Sequence, residues 1–368
     1  MLIKVILPLV TRIGGPYRTF QKGPILLPGE EIQVQQLVQG ENINGDNNQW
    51  YFDGGNKYYW SGGTSQTVAT VLQEDPSSNY PWWIKNGHFD IRSLWLKSKG
   101  GGMKIAVVDS GIANNHPEFD YSKINGKSYL KDNSGYLTDL LDHGSHCAGI
   151  MVAKGIESYG LAPDSSLFVA QVIDASGTPD FQAVLDALMD IYNEQNGADK
   201  VDIVSMSFSL MASTKQELAL LNQIKDIAGK LKTEKSILLV SAAGDDGESN
   251  DNEPASWDPC ISVGSITSAF VKSSFSSTSL TLDIMAPGDA IKSTVTGGYR
   301  VLSGTSMSAA YISGVLSVLG SYMKSKGKYD ANILEKTLLK TAINNNFSIS
   351  EYGHGIVDPN SAFNNLGL

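Results

Sequence analysis

The sequence predicts an α/β protein: a doubly wound, mainly parallel sheet with helices on both faces, preceded by a small all-β barrel. Two observations carry the first part. From Lys104 onward, short segments rich in Val and Ile recur, apolar throughout rather than alternating, and helical patterns lie between them. Such runs are parallel strands buried on both faces, and their alternation with helices makes a doubly wound domain. A third observation sets the N-terminal part aside: residues 1–66 hold β-type runs broken by Gly and Asn, with no helical period. The expected layout is a barrel over 1–66, a linker over 67–81 and the α/β domain over 82–368.

In the first region the runs are Ile3–Leu9, Glu31–Val38, Trp50–Phe52 and Lys57–Trp60, with turn signals at Pro28-Gly29, Gly45-Asp46, Gly54-Gly55 and Gly62-Gly63. The opening residues resemble a secretory signal only faintly. Lys4 and Pro8 break the apolar run and no small-residue cleavage site follows, so the segment reads as a strand. Glu74–Asn79 has linker composition. Pro81–Ile84 through Ile91–Trp95 is amphipathic and is expected to dock on the domain that follows.

Gly100-Gly101-Gly102 opens the first strand of that domain. Expected strands are Lys104–Asp109, Leu167–Ile173, Val201–Ser207, Ser236–Ala242 and Cys260–Gly264. Phe181, Val184, Leu185, Leu188 and Ile191 predict a helix over Thr178–Tyr192. Thr214 and Glu217 form a capping box that starts a helix over Ser213–Lys232, with Leu221, Ile224, Ala228 and Leu231 inward. A helix over Met307–Lys324 buries Ala309, Ile312, Val315, Leu316 and Leu319.

The 368 residues suffice for a large core. A formal charge of −10 argues against nucleic acid or an anionic membrane as partner. No run is long enough to span a bilayer. Only Cys147 and Cys260 occur, so no disulfide framework is implied. These points favour the cytoplasm.

Chemistry concentrates in three places. Ser306 lies where a glycine-bearing turn, Ser303-Gly304-Thr305, feeds a helix. A hydroxyl on a first helical turn sits beside unpaired N–H groups that favour an oxyanion; as an N-cap the same serine would be structural, and this stretch alone leaves both readings open. Ser308 at the second following position excludes the nucleophile elbow of the α/β-hydrolases. Asp109 ends a buried strand, where doubly wound domains place ligands; alone, an Asp before Ser-Gly reads as a turn. His143 opens a small-residue helix, His143-Gly144-Ser145-His146-Cys147-Ala148-Gly149, able to pack close to the sheet. A histidine held by a carboxylate can take a serine proton. His146 reads as structural, and Cys147 as a buried thiol under the site rather than a nucleophile.

Taken in chain order, Val107-Val108-Asp109-Ser110-Gly111, His143–Gly149 and Gly304-Thr305-Ser306-Met307-Ser308 resemble the subtilisin-like serine proteases. Ser205–Ser209, Ser273–Ser277 with Asp283–Gly288, and Tyr352–Asp358 resemble further strings of that family, so the likeness covers residues 82–368. It implies Ser306 as nucleophile, His143 as base then acid, and Asp109 as orienting acid. Substrate would lie as an added strand between Ser207-Phe208-Ser209 and the edge near Gly177. No cofactor would be required, and protein or peptide would be the substrate. Leu27–Val34 with Trp50–Gly63 resembles bacterial SH3-like domains, whose Trp50, Tyr51, Tyr58, Tyr59 and Trp60 would either line a groove for a peptide or protein ligand or fill the barrel.

Four departures stand out. Asp245 replaces the family's oxyanion Asn. An ionised carboxylate cannot donate, and at ~3 Å and an effective dielectric of ~20 it repels an oxyanion by about 5 kcal/mol, against ~2.7–4 kcal/mol for losing the amide in a family member. Either Asp245 is protonated at work, or the Ser306 N–H acts alone, or the enzyme is slow. Ala310-Tyr311 stands where the family has Pro. The segment Ala153–Gly160 is shorter than a strong calcium loop, and Glu118 is the only hint of a metal near it. The run 245–253 holds five carboxylates; it reads as a solvated loop, as an S1 border in which Asp251 and Asn252 favour basic P1, or as a weak calcium site. Three functions follow: a serine endopeptidase, a catalytically weak binding or regulatory protein whose SH3-like domain selects partners, or a non-peptide acyl hydrolase.

Overall fold

The computed structural model describes residues 80–85, 90–131, 135–194 and 200–367, together with the backbone of seven N-terminal strands. The chain divides into two compact units, Met1–Phe89 and Asp90–Leu368, and each is described by itself.

In the first unit the strands are β1 (Leu2–Lys4), β2 (Leu9–Ile13), β3 (Gln21–Leu26), β4 (Glu31–Gln33), β5 (Gln36–Gln39), β6 (Gln49–Phe52) and β7 (Lys57–Trp60). Five pair in the order β3-β2-β7-β6-β5, all antiparallel, and β1 pairs with β4. The region is strand-built, as its turn-punctuated runs predict. The SH3-like assignment, the groove of Trp50, Tyr51, Tyr58, Tyr59 and Trp60, and the linker as far as residue 79 lie outside the described residues.

The second unit opens with α1 (Ile91–Trp95). Its sheet has seven parallel strands: β8 (Lys104–Asp109), β9 (Ile124–Ser128), β10 (Ser166–Gln171), β11 (Ile203–Met206), β12 (Leu238–Ala242), β13 (Cys260–Ile266) and β14 (Ile284–Pro287). Their order is β14-β13-β12-β11-β8-β10-β9. The first strand of the unit therefore lies inside the sheet; the chain passes to the edge at β9, returns to β10 beside β8, then crosses to β11 and runs outward to β14. The topological switch lies at β8 and β11, and ligands bind at the carboxyl ends of strands flanking such a switch. An antiparallel hairpin, β15 (Ile291–Val295) and β16 (Gly298–Leu302), follows β14.

The helices are α2 (His143–Val152), α3 (Phe181–Asn193), α4 (Lys215–Lys235), α5 (Thr305–Ser325), α6 (Ala331–Lys340), α7 (Ile349–Tyr352) and α8 (Pro359–Asn365). Successive strand residues face opposite sides, and β8 shows what that arranges. Ala106 and Val108 join a core with Ala170, Val204, Met206 and Leu239 under α3 and α4. Ile105, Val107 and Asp109 alternate with them and face the other side, where α2 and α5 pack on each other. Asp109 is thereby delivered to the layer that carries His143 and Ser306.

β8 has the bounds the sequence predicts, and the capping box of α4 is present, with Thr214 Oγ1 accepting the Glu217 N–H at 3.1 Å. α5 begins two residues earlier than expected, so Ser306 lies inside the helix; it is buried nearly all round rather than on one face. α3 starts at Phe181 instead of Thr178, because Asp180 takes the cap and Pro179 bridges back to Ile173. The sequence pattern does not reveal β9, β14 or the β15–β16 hairpin.

Candidate active site

β8 ends in Asp109, whose side chain is fully buried. Its Oδ1 accepts the Ser110 N–H at 2.7 Å and lies 2.8 Å from His143 Nδ1. His143 is the first residue of α2 and is half-buried. The next residue explains how a helix comes so near a strand end: a Cβ on Gly144 would fall 2.2 Å from the Gly111 carbonyl oxygen and 3.2 Å from Asp109 Cβ. On its other side α2 meets β15, where a Cβ on Gly149 would strike the Ser293 and Thr294 hydroxyls.

Burial works against a protonated His143, but the carboxylates of Asp109, Asp139 and Asp245, Asp109 foremost, together outweigh it, and the imidazole is held above its usual range. His146 is different. Burial brings it down to about 4, and its Nε2 faces the Ile291 and Arg300 carbonyls at 3.1 Å. It stays a neutral packing residue, as its position predicts.

Ser306 is the second residue of α5 and remains half-buried, open to solvent. Its N–H is one of the first-turn donors that a helix leaves unpaired. Its hydroxyl donates to the Ser207 carbonyl at 3.1 Å, while the Ser207 hydroxyl donates to the Ser306 carbonyl at 3.1 Å. No direct hydrogen bond joins the Ser306 hydroxyl to the imidazole; such contacts are often loose before substrate arrives. Cys147 lies one turn along α2 from His143, its thiol 3.9 Å from the Ser306 carbonyl oxygen. Burial pushes that thiol far up, so it is a filler rather than a nucleophile.

Asp245 follows β12 and is exposed. Its Oδ1 accepts the Thr305 N–H at 2.7 Å and the Thr305 hydroxyl at 2.9 Å, and its Oδ2 lies against Gly304. The carboxylate thus caps α5 directly before Ser306. Its exposure also lowers the repulsion argued from sequence: at a water-like dielectric, charges ~3 Å apart repel by only about 1.4 kcal/mol.

The other expected contact residues fall in two groups. Ser207 borders the site through its bonds to Ser306 and Ser209 is half-buried two residues on, but the Phe208 side chain is buried in the α3–α4 core, so only its backbone can meet a substrate. Gly177 sits exposed with φ 80° in the turn after β10, its N–H spent on the Asp174 carbonyl. Asp251 accepts hydrogen bonds from the Ser279 and Thr281 hydroxyls. Asn252 donates to the Ala243 carbonyl at 2.8 Å, directly under the Gly244–Asp245 turn. Asp246, Asn250, Asp251, Asn252 and Glu253 border a cavity of about 420 Å³ whose other wall is Leu210, Met211 and Leu218.

Glu118 has a role the sequence does not show. Its side chain is fully buried, and it accepts N–H groups from Gly155 (2.9 Å), Ile156 (3.0 Å), Glu157 (2.5 Å) and Ser158 (2.8 Å), with the Tyr299 hydroxyl at 3.1 Å. Burial opposes its charge, yet these donors hold its carboxyl below the usual range. A cation needs oxygens turned inward. This loop turns N–H groups inward around an anion, so the residues here do not fit a metal.

Residues 100–355 match the Subtilase family. Subtilisin E of Bacillus subtilis (strain 168) is 28% identical over 307 residues, spanning 80% of this chain and 75% of its own length. The major intracellular serine protease of the same strain is 30% identical over 279 residues, spanning 69% of this chain and 83% of its own. A lanthipeptide protease crystal structure superposes with a TM-score of 0.66 at 21% identity, covering 77% of this chain and 93% of that one. Among the described residues no helix is long and apolar enough to cross a membrane. The family match covers the whole span that carries Asp109, His143, Asp245 and Ser306, and the chain accordingly belongs to the subtilase family as a serine endopeptidase.

Proposed function

We propose that Ser306 is the nucleophile, His143 the general base and then acid, and Asp109 the group that orients the imidazole. The observation that supports this most is the 2.8 Å contact of His143 Nδ1 with buried Asp109, made from the helix that packs on α5. It fixes the tautomer that leaves Nε2 free to accept a proton. The Ser306 hydroxyl swings from the Ser207 carbonyl toward Nε2 and gives up its proton as Oγ attacks the scissile carbonyl. The imidazolium then protonates the leaving amine as the C–N bond breaks. Water repeats the cycle on the acyl-enzyme, releasing the acid. A peptide strand alongside Ser207–Ser209, with Gly177 across from it, presents the scissile bond.

The oxyanion faces the Ser306 N–H on one side and Asp245 on the other. Asp245 Oδ1 is occupied by Thr305, so Oδ2 is the oxygen left to face it, and it donates only when protonated. The acidic border from Asp246 to Glu253 favours Lys or Arg at P1 by charge complementarity. No cofactor takes part. Calcium at this border is at most weak, because Asp246 and Asp251 already accept hydrogen bonds from serine hydroxyls. An intracellular setting fits two cysteines without a disulfide framework and the name of the Bacillus intracellular relative. The N-terminal strands would serve as an SH3-like module for a peptide or protein ligand, and removing residues 1–80 should then alter substrate choice.

A fluorophosphonate should label the wild-type chain at Ser306 and leave Ser306→Ala unlabelled, with turnover falling about 10⁶-fold. Labelling without casein cleavage, but with ester hydrolysis, would point to a non-peptide acyl hydrolase. Absence of both would leave a binding scaffold. Equal or faster cleavage of Phe or Leu peptides than of Lys or Arg peptides would overturn the P1 assignment.

A further inference from the structure

We infer that Asp139 is a positioning residue of the hydrolytic site, a buried carboxylate that fixes the first turn of α2 and so sets where the His143 imidazole stands. The inference rests on reading His143 as the base.

The residue placed to cap α2 is Asp142, and it does not do so. It has a left-handed backbone, φ 65°, and its side chain makes no cap bond. It turns instead to the Thr296 N–H at 2.8 Å and Arg300 at 3.0 Å. The donors of the turn go elsewhere. Asp139 Oδ1 accepts the Leu141 N–H at 3.1 Å, the Asp142 N–H at 2.9 Å and the Ser110 hydroxyl at 2.8 Å. Its Oδ2 accepts the Ser145 N–H at 2.8 Å and the Ser145 hydroxyl at 2.5 Å. Ser110, having donated to Asp139, accepts the Gly144 N–H at 3.0 Å.

The N–H groups on either side of the turn's midpoint, Gly144 and Ser145, are therefore both satisfied by one unit made of Asp139 and Ser110. Ser110 is bonded to Asp109 in the chain. The same unit that seats α2 is thus anchored to the residue that grips Nδ1, so the imidazole and its carboxylate are held to a common frame. Asp139 is 6% exposed and both its oxygens are fully used. An amide in its place would turn its NH₂ toward at least one backbone N–H, that of Ser145 or those of Leu141 and Asp142, which no rotamer avoids.

Charge adds a second effect that packing alone would not give. The groups facing His143 are Asp109 from β8, Asp139 from the loop before α2, Asp245 from the loop after β12, and His146 and Cys147 on α2 itself. The last two are uncharged, and Asp142 is matched by Arg300. Asp139 is one of three carboxylates favouring the imidazolium. Removing its charge lowers the pH at which the neutral base becomes available.

The test is Asp139→Asn in the full chain, assayed on a peptide substrate across pH, with Ser110→Ala beside it. Asp139→Asn should lower kcat about 10²-fold, the scale of a displaced catalytic group, with KM little changed. Its acid limb of kcat/KM should move to lower pH. Ser110→Ala keeps the charge but loses the Gly144 acceptor, so kcat should fall while the limb stays. A folded Asp139→Asn with unchanged kcat and limb overturns the inference. If that variant does not fold, unchanged kcat in Ser110→Ala overturns it. His143→Ala is the separate check on the base: retained activity there would refute the triad first and this inference with it.

Discussion

Apart from the two shortest, α1 and α7, whose N-cap residues make no side-chain cap bond either, the helices of the peptidase unit begin in two different ways. α3, α4, α6 and α8 cap themselves: Asp180, Thr214, Asp330 and Asp358 each accept an N–H three residues on. α2 and α5, which carry His143 and Ser306, do not. Their N-cap residues, Asp142 and Gly304, make no side-chain cap bond. The first turn of α2 is met by Asp139 and Ser110, and that of α5 by Asp245, all from outside the helix. A cap within the helix stabilises that helix alone. A cap from another element also fixes the helix against that element, and it leaves the first-turn side chain free for chemistry. For α5 this arrangement carries a conflict. The helix's positive end favours one anion, and both Asp245 and the oxyanion proposed at Ser306 would draw on it.

The largest expected effect breaks that conflict. Asp245→Asn keeps an acceptor for Thr305, frees an amide to donate, and removes a charge that favours the His143 imidazolium. Turnover at pH 7 should rise by about 10²-fold, and the acid limb, which should lie above the ordinary histidine value in the wild type, should move down. Unchanged or lower turnover would show that the carboxylate is needed as it is. Asp245→Ala removes the cap without restoring a donor and should give no such gain.

Glu118 is a borrowed carboxylate of another kind, serving the N–H groups of a loop. Glu118→Gln should cost about 2–3 kcal/mol by thermal or urea unfolding, since hydrogen bonds to a buried charge are lost. Because the folded carboxyl lies below its usual 4.5, this contribution is fully present above the unfolded value and vanishes as pH falls through the folded one. The gap between wild type and variant should therefore close in acid; a constant gap would mean packing rather than charge.

Smallest is Thr214→Ala, expected to cost about 1 kcal/mol with kcat unchanged. If kcat fell as well, the contrast between self-capped and outside-capped helices would lose its functional meaning.

What the sequence discloses follows the same division. Lys104–Asp109 is legible because a buried parallel strand needs an uninterrupted apolar run, and the Thr214–Glu217 box because its partners are three residues apart. Asp109, His143 and Ser306 are found through their local strings. Asp139 is not, although it stands only four residues before His143, because a reader looking for a cap stops at Asp142. Glu118 bonds a loop some forty residues away, and nothing local marks it. Phe208 looks like part of a binding strand, yet strand alternation turns its ring into the core. The Ser306 hydroxyl resting on the Ser207 carbonyl is a rotamer choice, which residue pattern does not encode.

The inward-turned N–H groups of residues 155–158 have an environmental consequence. A corner of this fold held together by an anion already in the chain has nothing to lose to a chelator. Its vulnerability is to acidity instead. At that corner the protein should keep its shape in media stripped of divalent ions and yield it only where acidity is strong enough to protonate Glu118 itself.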